Sequence, residues 1–144
     1  MTRRFRLAWL IVLVVGFLPN SRLLAQAKKS VATYRTIEQW PIGDQGHGRT
    51  IVTSIPKPSQ TQLKEMVEQL KVETRGDKIA FVWIYDNQRA AQNRKAATTG
   101  KLSRADDSFH SLHCVGQYQR NASSGLHSLY VYLKGGESFT EIKY

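Results

Sequence analysis

The apolar positions of this chain follow three different periods, and each predicts a different kind of element. The first is a continuous run over 7–18, closed by polar residues and then by Ala25, Gln26 and Ala27. The second is alternation. Residues 33–40 are rich in aromatic and β-branched side chains and predict a strand. Another follows over 49–55, with Ile51, Thr53 and Ile55 on one face and Val52 and Ser54 on the other. Between them 41–48, with Gly43, Asp44, Gly46 and Gly48, has turn chemistry, so the two strands read as a hairpin.

The third period is helical. Pro56 and Pro58 stop the strand, and Ser59 stands three residues before Gln62, the spacing of a capping box. Leu63, Met66, Val67, Leu70 and Thr74 then recur along one stripe, which predicts an amphipathic helix over 59–75 closed by Gly76. Residues 79–85 are apolar without alternation, the mark of a central strand covered on both faces. A short helix is predicted near 88–98 and a loop over 99–108. Strands over 112–119 and 126–133 form a second hairpin, the latter with His127, Leu129, Val131 and Leu133 on one face. Gly135 and Gly136 break it, and 139–144 adds a short edge strand.

This order predicts an α+β fold: a mainly antiparallel sheet of about five strands, with helix 59–75 packed on one face. The second face of 79–85 then needs a cover. Residues 88–98, the loop after them, or a second copy in a homo-oligomer would supply it.

Composition divides the chain. It holds 21 Lys and Arg against 11 Asp and Glu, but Arg3, Arg4, Arg6 and Arg22 lie within residues 1–27, leaving 17 against 11, or +6, in the remainder. A basic start, a short apolar core and small residues before Lys28 form the plan of a cleavable secretory signal, cut after Ala27. The 12-residue run is too short for a bilayer-spanning helix, so no stable membrane anchor is expected after cleavage. Residues 28–144 then form one domain, secreted or periplasmic. With 41% hydrophobic and 22% charged residues the chain has a globular composition rather than a disordered one. An exported protein with +6 gives no reason to expect nucleic acid as a partner; an envelope protein or an anionic polymer is the better expectation.

Candidate chemistry gathers near the second hairpin. Cys114 is the one cysteine, so no internal disulfide forms. His110, His113, Cys114 and His127 are metal-type ligands, with His47 or a carboxylate as a further donor, although 113 and 114 would face opposite ways on a strand. The same group offers a nucleophile: Cys114 activated by His127 or His110 and oriented by Asp86. Asp86, followed by Asn87, also has the character of a turn and helix cap, and Asp106 with Asp107 that of a weak calcium site. Arg89, Arg94, Lys95, Lys101 and Arg104 fall in one basic stretch suited to a polyanion. Asn121 begins a glycosylation pattern. No glycine-rich phosphate loop, nucleophile elbow or dinucleotide fingerprint occurs, and no cofactor is expected.

The segments Phe81-Val-Trp-Ile-Tyr-Asp86, Val115-Gly-Gln-Tyr-Gln-Arg-Asn121 and Gly125-Leu-His-Ser-Leu-Tyr130 resemble small exported bacterial α+β domains of uncharacterised function, over 34–133. That resemblance brings no activity with it. It implies a polar cluster of Tyr118, Arg120, Asn121 and His127 around the hairpin, although Asn121 and Gly125 also suit left-handed turn geometry. The combined expectation is an exported, non-catalytic binding or accessory domain. A Cys/His-centred enzyme or metal site and a polyanion binder are the alternatives.

Overall fold

A computed structural model describes residues 33–144. Residues 1–32, on which the expected secretory signal falls, lie outside the described residues. Strands β1 (Tyr34–Pro41), β2 (Gly46–Thr53), β3 (Ile79–Tyr85), β4 (Cys114–Asn121), β5 (Leu126–Leu133) and β6 (Ser138–Lys143) form one sheet in the order β1-β2-β3-β4-β5-β6. Every neighbouring pair is antiparallel except β2 and β3, which helix α1 (Gln60–Glu73) joins as a parallel crossover. The α+β fold expected from the pattern is the fold observed, with six strands where about five were expected.

Helix α1 begins where the capping box places it. The Ser59 hydroxyl accepts the Gln62 N–H at 3.3 Å, and the Gln62 side chain accepts the Ser59 N–H at 2.8 Å. Leu63, Met66, Val67 and Leu70 are buried against Ile51, Val82, Ile84, Tyr118 and Leu129 of the sheet. Its end differs from the expectation. Thr74 caps the helix, its hydroxyl donating to the Leu70 carbonyl at 2.8 Å, and the Arg120 guanidinium donates to the carbonyls of Thr74, Arg75 and Asp77. A cation at a helix C-terminus satisfies orphan carbonyls and the dipole together, so Gly76 is not required as the stop.

The opposite face of β3 is covered by the chain itself. Helices α2 (Gln88–Gln92) and α3 (Arg94–Thr98) replace the single helix expected over 88–98, and α4 (Arg104–His113) occupies residues expected to be loop and the start of a strand. Ala90 and Ala91 of α2 pack on Tyr85 and Cys114, with Phe109 of α4, Trp83 and Val52 half-buried around them. Ser103 caps α4 by accepting the Asp106 N–H at 3.1 Å, and Asp106 and Asp107 sit in the first turn, where carboxylates suit the helix dipole.

Glycine is required at two positions, Gly48 and Gly125. A side chain at Gly48 would meet the Trp40 ring at 2.0 Å, so the β1–β2 pair closes only over a bare backbone. Gly125 sits at φ +72 in the β4–β5 hairpin. Asn121 does not share that left-handed geometry; its side chain accepts the N–H groups of Ser123 and Ser124 and so shapes the turn.

Candidate functional site

The register of β3 on β4 slips between Ile84 and Tyr85: Ile84 faces Gly116 while Tyr85 faces Cys114, so Val115 is bulged. This bulge decides where the chemistry goes. It turns Cys114 onto the Tyr85 face, under α2 and α4, while Gly116 and Tyr118 stay on the α1 face. It also ends α4 beside β3, so that His113 and Asp86 meet. The His113 Nδ1 lies 2.6 Å from Asp86 Oδ1. The backbone N–H of Lys57 donates to Asp86 Oδ2 at 3.1 Å, and the Asp86 N–H donates to the His113 carbonyl at 3.1 Å. Asp86 is only 6% exposed and His113 22%, so the pair is fixed and largely dry. Asp86 is therefore a histidine-orienting carboxylate, and Asn87 is the helix cap, its side chain accepting the Ala90 N–H at 3.3 Å.

The pair lines a cleft of about 480 Å³ between the start of α1 and the far ends of β4, β5 and β6. Most of its wall is apolar: Pro58, Leu63, Val115, Val131 and Tyr132. Leu112 and Leu133 also line it and are 61% and 45% exposed, so carbon surface stands open to solvent at this point. A smaller cavity of about 330 Å³, lined also by Trp83 and His110, shares Cys114, Tyr132 and Gly135 with it.

Cys114 is 7% exposed, and burial pushes its thiol up to about 12, against the hydrogen bond with Tyr85 that works to lower it. The neighbours of Cys114 explain how a neutral thiol is accommodated. His110 Nδ1 donates to the Ala90 carbonyl at 2.9 Å, which leaves Nε2 as the acceptor for the Tyr85 hydroxyl at 3.3 Å. Burial, and next the nearby Cys114, raises the Tyr85 phenol as well. Cys114 is thus buried beside the Tyr85–His110 pair with a raised pKa, whereas a nucleophilic cysteine needs a depressed one.

His127 is not part of this cluster. It faces Arg120, six residues along β4 from Cys114 and so roughly 20 Å away at the rise of a strand, and it lies on the α1 face. The pairing of Cys114 with His127 that adjacent strands would allow is therefore not formed. His127 shares a hydrogen bond of 3.0 Å with Tyr118 and stacks on Tyr144; burial, followed by the charges of Lys71 and Arg120, lowers its pKa. The expected cluster of Tyr118, Arg120, Asn121 and His127 resolves into that contact, the closure of α1 by Arg120 and the turn shaped by Asn121.

The remaining candidates are dispersed in the same way. His47 bonds to Asp77 at 3.1 Å, at the start of β2. His113 lies at the end of a helix rather than on a strand, so the expectation that 113 and 114 face opposite ways on a strand does not apply. Among the described residues no group of three or more His, Cys, Asp or Glu side chains is placed to hold a metal ion. Asp106 is engaged by Ser103 and Arg89, whose hydrogen bonds hold its carboxyl below the ordinary range, and is not turned to a shared cation with Asp107. In the basic stretch Arg89 is paired with Asp106, and Arg94 donates to Glu38 at 2.9 Å while lying 4.0 Å over the Trp40 ring. Lys95, Lys101 and Arg104 remain on the surface.

Pattern and composition singled out Asp86, His113 and Cys114 but not Leu112 or Leu133 as walls of a cleft. Leu133 ends a strand, and Leu112 lies in a helix whose last two residues the pattern assigns to a strand, so neither is marked as a cleft wall. Among the described residues no helix is long and apolar enough to cross a membrane. No protein-family model, curated protein or solved structure matches this chain.

Proposed function

We propose that this protein is an exported, non-catalytic domain that binds a small, partly apolar molecule in the cleft beside Asp86 and His113. The observation that carries this reading is the composition of that cleft. Carbon-lined walls left open to water surround one fixed, nearly buried polar pair, and a concave apolar site with few well-placed polar groups is the common form of a small-molecule seat. The basic and apolar plan of residues 1–27 supports export. The buried thiol, with its raised pKa, supports binding over cysteine chemistry.

Nile red, a neutral apolar dye that fluoresces when it leaves water, tests the seat directly. The mature chain is expected to bind it saturably, and Leu112→Glu, a change at an exposed rim position, is expected to abolish the signal without altering the circular dichroism spectrum. Saturable binding that is indifferent to Leu112→Glu would reject the cleft. Amino-terminal sequencing of the exported protein tests the other half, with Lys28 expected as the first residue.

A further inference from the structure

We infer that the ligand of this cleft carries a hydroxyl group, which His113 engages through Nε2; the inference rests on the cleft being the binding seat. Both carboxylate oxygens of Asp86 are occupied, Oδ1 by His113 Nδ1 at 2.6 Å and Oδ2 by the Lys57 N–H at 3.1 Å. Asp86 therefore holds the ring from one oxygen while the Lys57 backbone fixes the other, and it serves to orient the ring. The ring is held by its Nδ1 edge, and among the described residues no group bonds Nε2. Because a carboxylate takes the Nδ1 proton, the neutral imidazole presents a lone pair at Nε2, while the imidazolium presents an N–H there.

These two states select the ligand group. An alcohol or phenol serves both, donating to the lone pair or accepting from the N–H. An ether or ester oxygen meets only the imidazolium. A carboxylate also meets only the imidazolium, and it would sit against the Asp86 carboxylate, which at 6% exposure is poorly screened. The rest of the molecule should be mainly hydrocarbon, because Leu112, Val115, Val131, Tyr132 and Leu133 line the cleft, with Lys57, Ser59, Gln60 and Thr140 as its other polar lining. A volume of about 480 Å³ accommodates a ligand of small-molecule size.

Three probes of one chain length separate the possibilities: octanol, methyl octyl ether and octanoate, each titrated into the mature protein at mildly alkaline pH. Amide shifts of Val115 and Val131 report occupancy of the cleft. Octanol is expected to bind about tenfold more tightly than the ether, the scale of one net hydrogen bond, and more tightly than octanoate. His113→Phe should remove the preference for octanol while retaining binding of the ether. The wild-type comparison decides the matter even if that variant folds poorly. Equal binding of alcohol and ether in the cleft, or tighter binding of octanoate, overturns the hydroxyl inference and leaves the cleft as a seat. No shift at Val115 or Val131 with any probe overturns both.

Discussion

On the α1 face one 14-residue helix lays Leu63, Met66, Val67 and Leu70 onto five sheet side chains, all with essentially no exposure. On the opposite face three short helices offer two alanines and a half-buried phenylalanine, and the contact is completed by polar bonds: Tyr85 to His110, Asp86 to His113 and Arg94 to Glu38. Apolar burial is non-directional and scales with area, whereas each buried polar bond must be made in one geometry or it costs stability. The first face accordingly supplies stability, and the second supplies fixed, oriented polar groups at the price of tight packing. The cleft opens where the two coverings part, between the first turn of α1 and the last residue of α4.

The largest test of that division is a truncation on each side. Leu70→Ala removes a fully buried side chain from the α1 contact and should lower unfolding free energy by about 3 kcal/mol in a urea titration. Phe109→Ala removes a larger group from the second face, yet Phe109 is only half-buried there and should cost less than half as much. Equal losses would show that the short helices bear as much of the fold as α1.

A middle-sized effect is expected at Arg94, which ties α3 to β1 through Glu38 and the face of Trp40. Arg94→Ala should cost about 1.5 kcal/mol, and Arg94→Lys should recover only part of it, because an ammonium loses the planar stacking of the guanidinium. Near-ultraviolet circular dichroism of Trp40 would report the same loss locally. Ser59→Ala should follow at about 1 kcal/mol, the usual worth of an N-cap, and it should act through α1 alone. If Ser59→Ala also exposes His113, the two coverings are coupled across the cleft.

The same contrast explains what was readable from the amino-acid order. Helix α1 was, because its cap, its stripe and its length all point one way. The central place of β3 was too, since seven consecutive apolar residues need cover on both sides. Helix α4 carries two signals that a loop-and-strand reading of 99–119 passes over: Ala105, Phe109 and Leu112 at helical spacing, and Ser103 with Asp106 three residues on, followed by Asp107. A strand over 112–119 places His113 on that strand, whereas it stands at the end of α4. Asp86 and His113 each stand out by residue type, but they lie 27 residues apart and meet only through the bulge at Val115, which no alternation pattern reveals. His127 failed as a partner for the opposite reason: regular alternation carried it to the other face.

The smallest effect at neutral pH concerns Cys114, and its sign reverses with alkali. Cys114→Ala deletes one sulfur and should cost about 0.5 to 1 kcal/mol, the scale of a small residual cavity. The folded thiol is pushed by burial from its ordinary 9.0 to about 12. A raised folded pKa means that the native state holds the proton after the unfolded chain has released it. Its favourable contribution is therefore complete below pH 9.0 and is lost progressively as the pH rises toward about 12. The wild-type protein should lose stability across that window faster than Cys114→Ala, so their urea midpoints should converge and then cross. Midpoints that stay a constant distance apart through the window would mean that the thiol is solvated. In that case the cluster of Cys114, Tyr85 and His110 would not be the dry contact that distinguishes this face from the one under α1.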